Sequence, residues 1–534
     1  MKSKFLLIFI LVLAVSSISV LSMSEWTIMV FLNADNDLER FGIKDFLDME
    51  KIGSTKDVNI IVQFDRANGY DTTNGNWTDT RIFKVEKSSN NNLITTKPLK
   101  VLGEIDMGDW REAVKFFNYS VDNFPARRYM FVYWNHGDGW MKEAKEEIAV
   151  KGISHDEQSG NHIDSVGMKK AAESMYRKLG RKVDIIAFDA CLMGMIEVAA
   201  QHADYVQYMV ASQDVEPGDG WPYDYVLKAI TENPRMSTVN FGKKIVDEYM
   251  RYYENQSGFW GPQAVTQAFY ELSKTSQVVQ AVDRFARHIY QNMDKEFRNI
   301  EHGINYAQKY EAPFYKDLHH FVDRVGAMSI DSDLKRKAED VKKAVNNMVV
   351  HSRWQGSKVR NSNGLAVYVP KSYEYKNHYI YTDFAKNTVW DEMLLRYFER
   401  SAISRETETL SPLSKTLISL YARSIIKGEN SIEDVDILNN IKEIALEIDG
   451  IILNDKNAFN VLKNSIESFK LTRTMELSHT EGDIDEGVDE NVAGMISLEG
   501  NKGRPPISII RKIIEFIPGM SYLMEMAASY GIID

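Results

Sequence analysis

The sequence predicts an α/β fold, a mostly parallel central sheet flanked by helices, with a largely helical C-terminal region. Three observations lead there. Between Trp26 and about Tyr270, short and nearly continuous apolar runs alternate with amphipathic stretches of helical period, the pattern of buried parallel strands covered on both faces. Two of these runs end abruptly in polar residues and glycine, in "YMFVYWNHGDGW" (129–140) and "VDIIAFDACLMG" (183–194). Beyond about Arg400 the character changes, and after a linker helical periodicity runs to Phe469.

The first 22 residues, "MKSKFLLIFILVLAVSSISVLS", hold Lys2 and Lys4, an apolar run from Phe5 to Val15, and then small residues. That is the layout of a secretory signal peptide, and its apolar core is shorter than the roughly 20 residues a spanning helix needs. The expectation is a protein secreted or held at the cell envelope, with no membrane span after signal removal. Buried strands follow at "WTIMVFLNA" (26–34), "VNIIVQFD" (58–65), "YMFVYWNHG", "VDIIAFDAC" and "YVQYMVAS" (205–212), and a half-exposed one at "TDTRIFKVEK" (78–87). Helical periodicity marks 38–52, 110–123 and 164–179, residues 225–350 read as mostly helical, and "GLAVYVP" (364–370) returns to strand. "SRETETLSPLS" (404–414) reads as a linker, giving a signal peptide over 1–22, a main domain over 23–400 and a mainly helical extension over 401–534. In that extension "EGDIDEGVDE" (481–490) is a solvated acidic segment, and "PISIIRKIIEFIPGM" (506–520) has one apolar helical face.

The 534 residues allow more than one domain, and 44% hydrophobic with 26% charged residues is ordinary for a globular protein. A net charge of −12 excludes a general nucleic-acid binder, which needs a basic face, and suits a cationic substrate. Exported proteins usually staple themselves with paired cysteines. This chain has one cysteine, Cys191, so it is either a small core residue or there for its chemistry.

His136 and Cys191 each stand just past a buried strand, and "DSVGMKKAAESMYRKLG" between them puts Met168, Ala171, Ala172, Met175 and Leu179 on one helical face. A right-handed crossover would set the two strands side by side, with both side chains at the carboxyl ends where functional groups of parallel sheets gather. The pair then reads as a catalytic dyad; singly, each has a plainer reading as a strand-end histidine or a core thiol. Leu192, Ile196, Ala199 and Ala203 recur at helical spacing, which places the sulfur near a helix N-terminus that would favour the thiolate. Gly137 and Gly139 allow close backbone approach, and the amides of Gly137 and Cys191 form a candidate oxyanion hole, although a tight turn also needs glycine. Asp189 faces the same side of the sheet as Cys191. Because a carboxylate there raises the thiol pKa, its task is either to bind a basic substrate side chain or to cap the next helix. Asp214, in "SQDVEPGDGWPY", is a candidate for the same pocket. No third member of a triad is evident, and a backbone carbonyl is the expected orienter of the imidazole.

Together "WTIMVFLNADNDLE", "NHGDGW", "FDACLMGMIEVA", "EPGDGWPY", "GLAVYVP" and "FAKNTVWDEML" resemble the clostripain family of cysteine peptidases, from Trp26 to about Arg400. The resemblance implies a caspase-like fold in the clan of His/Cys-dyad peptidases and cleavage of proteins or peptides after arginine or lysine, with no required cofactor. It puts the catalytic histidine at His136, the nucleophile at Cys191 and the acidic specificity residue at Asp189. Relatives of this kind are often activated by self-cleavage after the histidine strand, which makes Lys142, Lys145 and Lys151 in "MKEAKEEIAVK" (141–151) candidate sites; a lysine-rich surface loop without processing is the alternative. Some members depend on calcium. "NADNDLE" (33–39) is rich in oxygen ligands but lacks the spacing and glycine of an EF-hand loop, and strand-end capping by Asn33, Asp35 and Asp37 explains it equally, so no metal is assigned. The rival reading is a non-catalytic surface binding module on a peptidase scaffold, with the C-terminal region as the binding part.

Overall fold

The computed structural model describes residues 23–141, 152–254 and 263–406. The signal-peptide stretch, Lys142, Lys145 and Lys151, and the chain beyond residue 406 lie outside the described residues. The chain divides into Met1–Asp391 and Glu392–Asp534; what is described of the second unit is part of the helix Trp390–Glu406.

Thirteen strands are described: β1 (Ser24–Ala34), β2 (Val58–Arg66), β3 (Thr80–Lys84), β4 (Lys100–Gly103), β5 (Ala126–Trp134), β6 (Ile153–Asp156), β7 (Asn161–Ile163), β8 (Val183–Asp189), β9 (Val206–Ala211), β10 (Val265–Glu271), β11 (Tyr315–Asp317), β12 (Val349–Gln355) and β13 (Ala366–Tyr368). Nine form one sheet in the order β12-β10-β9-β8-β5-β1-β2-β3-β4. Its five central strands, β9 to β2, are parallel, and antiparallel pairs extend it at both edges. Every residue of β2 and β8 is buried, which is why these strands read as unbroken apolar runs.

Alternation along the strands sorts side chains to two helical layers. Ile28, Val30, Leu32, Val62, Phe64 and Val132 share one core with Phe46, Val226 and Ile245, from the helices Glu39–Ile52, Tyr223–Glu232 and Thr238–Glu254. On the opposite face Phe31 and Phe131 meet Phe116, with ring centroids 6.2 and 6.1 Å apart, from the helix Trp110–Asn123. The crossover helix Ser165–Leu179 starts on an Asp164 cap and ends on left-handed Gly180. Phe46 is fully buried and packs on Phe64 and Phe83, so its truncation to alanine should cost about 3–5 kcal/mol.

Two expectations change. "GLAVYVP" yields β13, which pairs with β11 in a separate two-stranded sheet. Within and just after the stretch read as helical lie β10 and β12, antiparallel partners at the sheet edge. Their sequences, "VTQAFYE" and "VVHSRWQ", carry polar residues that blur a strand pattern.

Candidate active site

β5 and β8 are parallel neighbours, with Trp134 opposite Asp189, so His136 and Cys191 each stand two residues beyond adjoining strand ends. The backbones touch there. A Cβ added to Gly137 would come within 2.5 Å of the Cys191 carbonyl oxygen and 3.0 Å of the Ala190 methyl, an approach only glycine permits. Gly139 has φ +72 and faces Met195 and Tyr315. Among the described residues the N–H groups of Gly137 and Cys191 donate no hydrogen bond.

The thiol of Cys191 is half-buried. Its Sγ accepts a hydrogen bond from the Glu216 N–H at 3.3 Å and lies 3.7 Å from the Glu216 carbonyl oxygen. Burial pushes its pKa up to about 12; the Glu216 N–H opposes the rise, and the charges of Glu216, Asp138 and Asp214 add to it. The expected helix N-terminus is not at the sulfur. Leu192, 5% exposed, takes a left-handed φ of 64, the Gly194 N–H binds the Ser212 carbonyl at 2.7 Å, and Met195 runs extended to bridge Ala366. The helix begins only at Ile196 and runs to His202, with buried Glu197 in its first turn. No helix dipole therefore reaches the thiol to lower its pKa.

His136 is oriented by a carboxylate rather than a backbone carbonyl. Its Nε2 is 2.7 Å from Asp37 Oδ1, and both side chains are partly exposed, 38% and 59%. Asp37 stands on the turn after β1, which neighbours β5 on the side away from β8. In that turn the capping is done by the asparagines: Asn33 Oδ1 accepts from the Asp35 N–H and Asn36 Oδ1 from the Leu38 N–H. Asp37 is left for the imidazole.

Asp189 ends β8 as the centre of a buried cluster of carboxyl groups. Its Oδ1 accepts the Trp221 N–H at 3.2 Å, and the side chains of Glu216 and Tyr223 face the same carboxylate. Burial lifts the Asp189 pKa to about 6, against the pull of Glu216, Tyr223, the Trp221 N–H and Lys44. Glu216 is driven well above the carboxylate range by burial and by the Asp189 charge, and Asp45 likewise. Asp45 accepts the Trp134 indole N–H at 2.8 Å, and Lys44 lies 3.5 Å from it. Asp214, expected in this pocket, is engaged elsewhere: Oδ1 accepts the Glu311 N–H at 2.7 Å and Oδ2 lies 3.7 Å from Lys358.

Sequence reasoning placed Asp37 only among the strand-end caps and missed Asp45 and Glu216. Asp45 had a signal, a carboxylate on the buried stripe of its helix beside Ile43, Phe46 and Met49. Glu216 lay in the same quoted stretch as Asp214.

A model of the clostripain family matches residues 30–398. The chain is 25% identical over 408 residues to clostripain of Hathewaya histolytica, covering 67% of this chain and 77% of that protein. Among solved structures it is similar to a secreted C11 cysteine protease of Bacteroides thetaiotaomicron in complex with an irreversible peptide inhibitor, at TM-score 0.51 and 18% identity, over 70% of this chain and 99% of the other. An inactive zymogen C11 protease of Parabacteroides distasonis superposes at TM-score 0.50 and 15% identity, over 69% of this chain and 99% of the other. With the motif blocks, the fold and the family match in agreement, this chain belongs to the clostripain family of cysteine peptidases.

Proposed function

We propose that the chain is an exported endopeptidase that cleaves after arginine or lysine, with Cys191 as nucleophile and His136 as the group that moves the proton. The observation that supports this most is the junction of β5 and β8. There the Gly137 backbone lies against Cys191, and a buried carboxylate pocket begins two residues from the sulfur. A thiol held near a pKa of about 12 is protonated at neutral pH, so the proton leaves during attack rather than before it. With Nε2 on Asp37, His136 takes that proton at Nδ1 while sulfur bonds to the scissile carbonyl carbon. The carbonyl electron pair moves onto oxygen, where the amides of Gly137 and Cys191 receive it. Collapse breaks the C–N bond, and His136 returns the proton to the departing amine. Water then gives a proton to His136 and attacks the thioester, releasing the acid and restoring the thiol. The basic side chain of the substrate is met by Asp189, with Glu216 beside it. Every step uses the chain's own groups and water.

Self-cleavage at Lys142, Lys145 or Lys151 belongs to the same proposal, and one solved relative is described as an inactive zymogen. Export rests on the leader-like first 22 residues; two solved relatives are described as secreted, and no helix among the described residues is long and apolar enough to cross a membrane.

The test is labelling with a lysyl or arginyl chloromethyl ketone. The expected result is one adduct on Cys191 with loss of amidase activity. A folded protein whose thiol stays unlabelled favours the non-catalytic binding module instead. Fragments that persist on a denaturing gel of Cys191→Ala count against self-cleavage.

A further inference from the structure

A buried lysine on the far face of β11 has no part in the reaction above. Side chains alternate along that strand. Tyr315 turns towards the active-site turn, where its hydroxyl donates to the Asp138 carbonyl at 2.6 Å. Asp317 accepts the N–H groups of Asn363 and His320. Lys316, between them, points the other way and is only 6% exposed. Its ammonium makes no hydrogen bond or ion pair to a described residue.

What stands beside it carries the same charge. Lys309 is the antiparallel bridge partner of Lys316. The Asp317 N–H donates to the Gln308 carbonyl at 2.9 Å and the Tyr310 N–H to the Tyr315 carbonyl at 3.2 Å, so the two lysines form the pair that does not exchange its own N–H groups. Side chains of such a pair share one face and approach most closely, and like charges placed there destabilise it. Lys309 is exposed, and its ammonium also has no acceptor among the described residues. Lys371, shortly after β13, adds a third positive charge, and Glu374 opposes them with a single carboxylate. Burial and the two other lysines hold the Lys316 pKa down at about 8.

An ammonium drawn out of water beside like charges and without an acceptor is a costly arrangement, all the more unusual in a chain of net charge −12. We propose that Lys309, Lys316 and Lys371 bind a tetrahedral dianion of the sulfate or phosphate type. Three ammonium groups less the Glu374 carboxylate leave two positive charges, the charge such an ion neutralises. Each lysine brings a compact charge with three donors and no fixed fork. That suits the oxygens of a tetrahedral ion better than a planar carboxylate, which a guanidinium grips with two parallel bonds. The site lies on the reverse of the strand that supports the glycine turn, since a Cβ added to Gly139 would come within 2.9 Å of the Tyr315 hydroxyl. A bound anion therefore steadies β11 from behind the active site without touching substrate.

The experiment uses the full-length Cys191→Ala chain, with sodium sulfate as the probe and sodium chloride at matched ionic strength as its control, read by calorimetry and thermal melting. Sulfate also stabilises proteins by exclusion from their surfaces, so the decisive reading is the difference between this parent and the same chain carrying Lys316→Met. Saturable binding to the parent should raise its melting temperature by roughly 1–3 °C more than the variant's. Binding should weaken about tenfold or more in the variant, and Lys309→Met, an exposed change, should weaken it in the same direction. At pH 8 binding should take up a fraction of a proton, because a bound anion raises a lysine pKa, and the heat should then vary with the ionisation enthalpy of the buffer. In chloride alone Lys316→Met should melt no lower than the parent, since it removes an uncompensated buried charge. Equal sulfate responses in the parent and both variants overturn the proposal, as does a Lys316→Met chain that melts lower in chloride, which would reveal a partner for the ammonium. Acetate bound more tightly than sulfate overturns the assignment of a tetrahedral ion. Because the protein is inactive throughout, the outcome is separate from whether it is a peptidase.

Discussion

The carboxylate groups on either side of β5 carry the same charge and differ in their walls. Around Asp45, Asp189 and Glu216 stand aromatic residues: the Trp134 indole donates to Asp45, Trp221 gives only its backbone N–H to Asp189, and Tyr223 and Tyr253 sit close enough to feel the Asp189 charge. Around Asp35 and Asp156 stand backbone N–H groups and asparagines. Ring faces accept the methylenes and the planar cation of a lysine or arginine side chain. The loops around Asp35 and Asp156 instead tie the carboxylates to backbone N–H groups. Two clusters of the same sign thus differ in lining, one walled by rings and the other by backbone.

The severest way to break the comparison is Cys191→Ala, expected to lower kcat/KM on an arginyl or lysyl amide by at least about a thousandfold with an unchanged circular dichroism spectrum. Asp189→Asn comes next. It should cost about a hundredfold in kcat/KM for basic substrates, while the melting temperature falls no lower than the parent's, because the substitution removes a buried charge whose pKa is already lifted. Asp37→Asn should lower kcat about tenfold with KM nearly constant and shift the pH profile of kcat; a rise in KM alone would remove Asp37 from its positioning role. The smallest effect is in pH. Asp189 takes up a proton as pH falls through about 6, so KM for a basic substrate should rise below that point, and a flat KM down to pH 5 would place the charge recognition elsewhere.

Much of this was legible. β5 and β8 are buried on both faces and so read as plain apolar runs, and the residues just past them, His136 and Cys191, stand out because the pattern stops there. What stayed hidden depends on neighbours remote in sequence. Asp37 reaches His136 across 99 positions, a link that follows only once β1 is known to lie beside β5. β10 was obscured by Thr266 and Gln267, polar residues that serve the site from inside the sheet: the Thr266 hydroxyl accepts the N–H groups of Gln213 and Asp214, both at 3.0 Å, and Gln267 donates to Glu216 at 3.0 Å. The late start of the helix after Cys191 escaped notice because Leu192 and Ile196 keep helical spacing through a segment that is not helical.

Leu192 has a consequence of its own. A leucine in the left-handed region sits about 1–2 kcal/mol uphill of an ordinary conformation, and it is held there by its own burial. Glycine would relax the backbone yet surrender the anchor, leaving the adjoining sulfur to wander. Selection for heat resistance alone would thus tend to erase this kink, whereas selection for turnover would retain it, and the two pressures part company at a single residue beside the thiol.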